Sequence, residues 1–170
     1  MNIFVLGPDG SDKSLLVKNF SSYLVSEGYE VRVVNLDPGV LNPGYKPDFD
    51  VRSWFTVENI MREKNLGPNG AILEAMDRLT KMKLPTFNDV DCVIFDTPGQ
   101  LEPFLFRETG RTIVNAFPDR CCLFLGDLPA LTGFGFEELL IILYEIKCAC
   151  GDNVKLLYNL VGRKCYFFLE

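Results

Sequence analysis

Short apolar runs alternate with longer amphipathic segments along the chain. Residues 3–6 are apolar and run into Gly7, and an amphipathic pattern then covers residues 13–28. An apolar run of this length is typical of a strand buried on both faces, and a stripe at helical spacing is typical of a helix packed on a sheet. The same alternation predicts further strands at residues 31–36, 91–95, 121–125 and 154–161, and helices at residues 56–64, about 72–79, 103–117 and 137–150.

This order of elements predicts an α/β fold, with a mostly parallel sheet and helices on both faces. The 170 residues are enough for one core, so we expect a single domain over residues 1–170. The carboxyl ends of parallel strands meet at one edge of such a sheet, and open α/β sheets bind their ligands there. The functional residues are therefore expected in the loops that follow the strands.

The loop after the first strand matches a phosphate-binding loop. The template is a glycine, four residues and then Gly-Lys-Ser/Thr, between a strand and a helix. Gly7, Lys13 and Ser14 fit it, and Asp12 stands where the second glycine belongs. In such a loop, backbone N–H groups at a helix N-terminus surround phosphate oxygens, the lysine reaches the outer phosphates and the serine hydroxyl ligates Mg²⁺. Taken alone, the imperfect match also fits an ordinary strand-to-helix turn.

Two aspartates follow later strands. Asp37 stands in Asn-Leu-Asp-Pro-Gly after the second strand, and Asp96 opens Asp-Thr-Pro-Gly-Gln after the third. An aspartate at a strand end can hold the shell of Mg²⁺, a following glycine N–H can contact a γ-phosphate, and Gln100 is placed to orient an attacking water. Turn chemistry alone also explains residues 37–39. The segment at 96–100, downstream of a phosphate loop, favours a P-loop NTPase.

Composition excludes several classes of function. The formal net charge is −6 and no stretch is rich in Lys or Arg, so direct nucleic-acid binding is not expected. No apolar stretch is long enough to span a membrane, and a cytoplasmic protein without membrane association is expected. The chain has no histidine and no Cys-x-x-Cys pair. Its six cysteines are therefore expected to be buried thiols and not zinc ligands.

Together these motifs resemble those of the GPN-loop GTPases, most of all the archaeal members. The resemblance covers residues 1 to about 125, and its most specific element is the Gly-Pro-Asn at residues 67–69, between the phosphate loop and Asp-Thr-Pro-Gly. Without the resemblance, Gly-Pro-Asn-Gly would be an ordinary turn sequence. The segments that carry the resemblance, in the family's order and spacing, are residues 7–14, 34–39, 48–52, 57–63, 66–71 and 96–100.

The resemblance implies Mg²⁺-dependent hydrolysis of GTP by a homodimer, in which residues 67–69 of each subunit reach into the other subunit's site near the γ-phosphate. It also implies a switch or assembly factor that acts on other proteins, since eukaryotic members assist assembly and nuclear import of RNA polymerase. Pattern and resemblance together assign catalysis to Asp37, Asn69 and Gln100, and the metal to Ser14, Asp37 and Asp96. The residues assigned to nucleotide binding are Gly7, Gly10, Ser11, Asp12, Lys13, Ser14, Gly67, Pro68, Gly99 and Asn159.

The chain departs from the family's pattern in three places. Asp12 replaces the loop glycine, and Asn-Leu-Val-Gly at residues 159–162 stands where the family has Asn-Lys-x-Asp, whose aspartate pairs with guanine. The chain also ends soon afterwards, without the family's further helices, so the apolar residues 166–169 are expected to seek a covering surface. The alternative hypothesis is therefore a degenerate paralogue with weak or no turnover that dimerises or acts as a scaffold. A small-molecule kinase is a third hypothesis, against which the Gly-Pro-Asn insertion argues.

Overall fold

The computed structural model describes residues 1–100, 103–104, 107–126, 154–158 and 164–169, the last two segments by their backbone. The strands of this part of the chain form a seven-stranded sheet. Their bounds are β1 Asn2–Leu6, β2 Val31–Asn35, β3 Phe49–Asp50, β4 Cys92–Asp96, β5 Arg120–Gly126, β6 Val154–Tyr158 and β7 Lys164–Leu169.

Five of these strands form a parallel sheet, which confirms the predicted α/β fold. The order across the sheet is β3-β2-β4-β1-β5-β7-β6, and the pairs from β3 to β5 are parallel. β1 lies in the centre, where Ile3 is in register with Ile94 of β4 on one side and Cys121 of β5 on the other. Because β1, β2 and β4 run in one direction, the loops that follow them leave the same edge of the sheet.

The α-helices are α1 Lys13–Ser26, α2 Val57–Lys64, α3 Pro68–Lys81 and α4 Glu108–Asn115, and Val51–Ser53 forms a turn of 3₁₀ helix. Thr56 caps α2, because its Oγ1 accepts a hydrogen bond of 3.1 Å from the Asn59 N–H. In the range 103–117, where one helix is predicted, residues 103–104 and α4 are helical, residue 107 lies in a bend, and residues 105–106 are outside the described residues. The Gly-Pro-Asn segment does not form a turn. Pro68 is the first residue of α3, a position that suits proline because an N–H there would have no partner within the helix.

Each face of the sheet buries its own apolar cluster. On one face Phe4 stacks on Phe95, with ring centroids 4.3 Å apart, in a cluster that includes residues of α2, α3 and α4. On the other face Ile3 and Val5 lie in a cluster with Val17 of α1. Neighbouring residues of β1 point to opposite faces, so burial on both faces explains why the strand is continuously apolar. Cys92, Cys121 and Cys122 are buried thiols, as predicted.

The apolar residues 166–169, predicted to seek a covering surface, belong to strand β7, whose backbone pairs antiparallel with β5 and with β6. This pairing gives the backbone of the segment partners within its own chain. It also makes the sheet mixed at this side and leaves β6 separated from β5 by one strand. The predicted helix at 137–150 and residues 159–163 lie outside the described residues.

Candidate functional site

The loop between β1 and α1 folds tightly against the sheet edge. Gly10 has a φ of 78°, and Asp12, which precedes α1, has a φ of 59°. A Cβ on Gly7 would lie 2.6 Å from the carbonyl oxygen of Leu125 and 2.6 Å from Oγ of Ser11. Only glycine therefore fits where the loop leaves β1 and passes the end of β5.

The Ser11 side chain lies inside this loop without a partner. Ser11 is 3% exposed, and its hydroxyl makes no hydrogen bond within the described part of the chain. Burying a hydroxyl without a partner costs about 1–3 kcal/mol. The hydroxyl stands just before the N-terminus of α1, where N–H groups and the helix dipole favour an anion. The hydroxyl itself lies against Gly7 in the interior of the loop.

Lys13 bends back over the same loop. It is 7% exposed, and its Nζ donates a hydrogen bond of 2.9 Å to the carbonyl oxygen of Pro8. Burial lowers the pKa of Lys13, and the carboxylates of Asp96, Asp37 and Asp9 act against this shift. The ammonium group is thus held by a backbone carbonyl and by neighbouring negative charge, in the loop where a phosphate would bind.

Asp96, the last residue of β4, is 1% exposed and lies beside the first turn of α1. Burial raises the pKa of Asp96, while hydrogen bonds from Ser14 and Tyr45 and the charge of Lys13 lower it. The bond from the Tyr45 hydroxyl to Oδ2 of Asp96 is 2.7 Å long. The structure therefore brings together Ser14 and Asp96, two of the residues predicted to hold a metal.

Asp37 follows β2 at the same edge. Its Oδ1 accepts a hydrogen bond of 2.8 Å from the Gly39 N–H, and burial raises the pKa of its carboxyl group. The backbone N–H of Asp37 donates to Oδ1 of the fully buried Asn35 at 3.0 Å, and Asn35 Nδ2 donates to Asp50 at 3.0 Å. The side-chain amide of Asn35 therefore fixes the backbone of Asp37, and this amide is itself bonded to Asp50 of β3.

Arg52 fixes the segment that follows Asp37. Its Nη2 lies 2.6 Å from Oδ2 of Asp50, and its Nη1 donates to the carbonyl oxygens of Val40 and Leu41 at 3.0 and 2.9 Å. Burial alone would raise the pKa of Asp50, but hydrogen bonds from Arg52 and Asn35 outweigh it, and the pKa of this carboxyl group is lowered. The motif at residues 48–52 therefore clamps residues 40–41 to the end of β3.

Among the cavities along this edge, three are lined by predicted site residues. The first, of about 400 Å³, is lined by Asp12, Lys13 and Ser14 on one side and by residues 42–44 on the other. The second, of about 70 Å³, is lined by Asp9, Asp37, Gly99 and Gln100 among others. Because Asp9 and Asp37 line both, the exposed Gln100 borders a space beside the phosphate loop.

The Gly-Pro-Asn segment borders the third cavity, of about 300 Å³, which is lined by Asn69 and Gln100 among others. Gly67 is the N-cap of α3, and residues 67–69 are exposed. The positive end of the helix dipole is therefore directed at the region that Gln100 borders. Within one chain, the structure places Asn69 and Gln100 on the same cavity.

Two of the predicted binding residues, Asp12 and Asn159, are not among the buried residues that the structure describes around Lys13 and Asp96. Asp12 is exposed and lines the 400 Å³ cavity, and its left-handed backbone accounts for the glycine expected there. Asn159 follows β6 and lies outside the described residues. Because β7 lies between β5 and β6, the strand that leads to Asn159 is three strand spacings from β1, about 14 Å.

Comparison with known proteins identifies the family. A family model described as "Conserved hypothetical ATP binding protein" matches residues 5–147. The chain is 41% identical over 134 residues to the GPN-loop GTPase PAB0955 of Pyrococcus abyssi, a match that covers 75% of this chain and 53% of that protein. The chain belongs to the GPN-loop GTPase family.

Further relatives agree with this family assignment. GPN-loop GTPase 1 of Schizosaccharomyces pombe is 30% identical over 174 residues, which cover 96% of this chain and 46% of that protein. The crystal structure described as PAB0955, a GTPase in apo form from Pyrococcus abyssi, superposes with a TM-score of 0.72 at 37% identity, over 86% of this chain and 63% of that one. The chain spans about half the length of these curated relatives.

The residues at the edge of the sheet fit the Mg²⁺ that the family implies. The donors are a hydroxyl and carboxylates, which are the hard oxygen ligands that Mg²⁺ prefers, and Ser14 and Asp37 line the same 400 Å³ cavity. Across the described ranges, no three acidic or cysteine side chains converge closely enough to hold a metal on their own. No helix in the same ranges is long and apolar enough to cross a bilayer.

Sequence reasoning did not identify two residues of this GPN-loop site. Tyr45 lies in a Pro- and Gly-rich segment outside the predicted strands and helices, and only its position between two family motifs hints at a role. Asp9 is a second acidic residue of the phosphate loop besides Asp12, and it lines both of the first two cavities. The sequence shows that Asp9 is charged, but it does not show that its carboxylate lies against Gly99.

Proposed function

We propose that the protein binds GTP together with Mg²⁺ and hydrolyses it at the edge of the sheet. The observation that carries the proposal is the convergence of Lys13, Ser14 and Asp96 at the phosphate loop, with Gln100 on the segment that directly follows Asp96. The family's name and the names of its relatives support GTP as the nucleotide.

Each residue would then have one task. Lys13 binds the outer phosphates, and Ser14, Asp96 and Asp37 hold the metal and its water shell. When bound, Mg²⁺ neutralises negative charge on the phosphate oxygens. The buried Gly99 offers its N–H to the γ-phosphate, and Gln100 orients the water in the adjoining 70 Å³ cavity.

The proposed active form is a homodimer that acts as a switch or assembly factor. Residues 67–69 are exposed at the start of α3, as a segment that reaches into a second subunit needs to be. In the dimer, Asn69 would approach the γ-phosphate of the other subunit. Light scattering with and without GTP and Mg²⁺ tests this. A protein that stays monomeric with saturating nucleotide would contradict the dimer.

A degenerate paralogue that serves as a scaffold is the second candidate. Asp12 favours it, because an exposed carboxylate lines the cavity in which phosphates would bind. The two candidates differ in turnover. An active enzyme releases phosphate in a single-turnover experiment, whereas the paralogue releases none or binds too weakly to be saturated.

The rate of phosphate release by two single-residue variants tests the proposed hydrolysis. Gln100→Ala should lower kcat by about 10²-fold or more with little change in GTP affinity, because orientation of water matters mainly in the transition state. Asn88→Ala removes an exposed amide outside the three cavities and should leave kcat unchanged. Equal rates for the parent and Gln100→Ala would remove Gln100 from the mechanism.

A further inference from the structure

Tyr45 makes a contact that the proposed reaction does not use. Its hydroxyl donates a hydrogen bond of 2.7 Å to Oδ2 of Asp96, which lies 51 residues away in sequence. Asp96 is 1% exposed, so bulk water does not compete for this oxygen. A hydrogen bond to a buried carboxylate is stronger than one between neutral groups at the surface.

The turn before Tyr45 has a hydrogen bond of its own. Asn42 Oδ1 accepts a hydrogen bond of 2.9 Å from the Gly44 N–H, and Gly44 has a φ of 76°. The Tyr45 ring packs against the apolar cluster between the sheet and α1. Removing the hydroxyl alone would therefore keep the ring in this cluster and would remove the bond that joins the turn to Asp96.

The same loop forms one wall of the 400 Å³ cavity. Residues 42–44 line this cavity opposite Lys13 and Ser14. Ser14 also hydrogen-bonds the carboxylate of Asp96. Tyr45 thus connects the wall of the cavity directly to the carboxylate that stands beside the phosphate loop.

We infer that Tyr45 is a positioning residue, whose hydroxyl orients the Asp96 carboxylate toward the Mg²⁺ shell and ties the wall at residues 42–44 to it. The inference rests on the proposed Mg²⁺-dependent function. With Oδ2 held by Tyr45, rotation of the carboxylate is restricted. Groups that hold a metal-binding carboxylate in this way typically change metal affinity 10–100-fold when they are removed.

The Mg²⁺ requirement of nucleotide binding tests the inference, with Tyr45→Phe as the variant and Tyr23→Phe as the control on the exposed side of α1. A fluorescent GTP analogue is titrated at increasing Mg²⁺ and also in EDTA. Tyr45→Phe should raise the Mg²⁺ concentration for half-maximal binding about tenfold or more and leave the affinity in EDTA within about twofold. Tyr23→Phe should match the parent. An unchanged or lower Mg²⁺ requirement in Tyr45→Phe would overturn the inference.

Amide hydrogen exchange of the ligand-free protein tests the tie to the wall. In Tyr45→Phe, the Gly44 amide, which donates to Asn42 Oδ1, should exchange about tenfold faster or more, while the amides of β1 and β4 keep the parent's rates and so report an intact fold. Unchanged exchange at Gly44 would overturn the tie. If the parent binds no GTP at any Mg²⁺ concentration, the proposed function fails, and the exchange rates still decide whether Tyr45 holds the wall through Asp96.

Discussion

The carboxylate of Asp9 lies directly against Gly99, so the phosphate loop touches the segment that carries Gln100. A Cβ added to Gly99 would overlap with this carboxylate, and it would lie 3.2 Å from the Cα of Asp9. The two loops come from β1 and β4, which are neighbours in the sheet. Their close approach depends on the absence of a side chain at position 99.

This contact predicts a specific pair of variants. Gly99→Ala should destabilise the protein by about 1–3 kcal/mol, because the added methyl group forces the packed loops apart. Asp9→Ala in the same chain should recover at least half of the loss, since it removes the group that the methyl meets. Chemical unfolding of the two single variants and the double variant gives the coupling.

Gly70→Ala, inside α3, is the matched control for this pair, since a Cβ at position 70 would make only ordinary van der Waals contact with Leu66, at 3.5 Å. We expect this variant to be at least as stable as the parent, because alanine favours a helix more than glycine does. Equal losses in Gly99→Ala with and without Asp9 would show that the contact does not limit the approach of the loops.

Asp12 should weaken nucleotide binding through its charge. A carboxylate about 4 Å from a phosphate oxygen meets a repulsion of order 4 kcal/mol at an effective dielectric of 20, and even half of this is more than tenfold in affinity. Asp12→Gly should therefore bind GTP more than tenfold more tightly, and the gain should be larger at low salt because the side chain is exposed.

Asp12→Asn separates the two properties of this position. Asparagine tolerates the left-handed backbone that residue 12 adopts and lacks the charge. Most of the gain should therefore appear in Asp12→Asn as well. Calorimetry that finds tight binding by the parent, unchanged in both variants, would mean that Asp12 does not face the phosphates and would remove the main support for the degenerate paralogue.

The buried carboxylate of Asp96 should cost stability in the ligand-free protein. Burial raises the pKa of Asp96 in the folded state above its unfolded value, so the penalty for the charged form is fully present above the folded pKa and disappears as the pH falls below the unfolded value. Asp96→Asn should therefore raise the Tm at neutral pH, by roughly 2–4 °C for each 1 kcal/mol of penalty. The difference between the variant and the parent should shrink as the pH is lowered towards about 4.

The same variant should lose Mg²⁺-dependent binding of GTP, so stability and function move in opposite directions. Asp77→Asn, at an exposed position of α3, is the matched control and should change neither property. A lower Tm for Asp96→Asn at pH 7 would show that the hydrogen bonds from Ser14 and Tyr45 outweigh the cost of burying the charge.

Guanine selectivity should be weak. An aspartate that pairs with guanine discriminates because the wrong base leaves buried polar groups without partners, at roughly 1–3 kcal/mol. Gly162 stands at that position of the motif. We expect a preference for GTP over ATP of about tenfold or less, measured by competition binding. A thousandfold preference would show that another group reads the base.

The central sheet could be predicted from the sequence because its strands are buried on both faces and are therefore continuously apolar. The convergence of the phosphate loop, Asp37 and Asp96 at one edge followed from the parallel order alone. The start of α3 at Pro68 was predicted too late, at about residue 72, because Gly-Pro-Asn-Gly matches a turn as well as it matches a helix start with proline in the first position.

Other features depend on contacts that no local pattern encodes. The bond between Tyr45 and Asp96 joins an irregular loop to a strand end 51 residues away, and a tyrosine in such a loop has no periodic signal. The insertion of β7 between β5 and β6 is a choice of strand partners, which the composition of residues 164–169 does not specify. The clamp of Arg52 on the carbonyls of residues 40–41 likewise appears only in three dimensions.

Calorimetry of GTP binding with and without Mg²⁺ tests the account most directly. The account predicts that the parent binds GTP more tightly with Mg²⁺ than in EDTA, and that Ser14→Ala removes most of this difference, because the hydroxyl that ligates the metal is gone. Ser22→Ala, at an exposed position on α1, should bind as the parent does. Binding by the parent that is equally tight in Mg²⁺ and EDTA, or a Mg²⁺ effect that survives in Ser14→Ala, would contradict a metal-dependent nucleotide site at this edge.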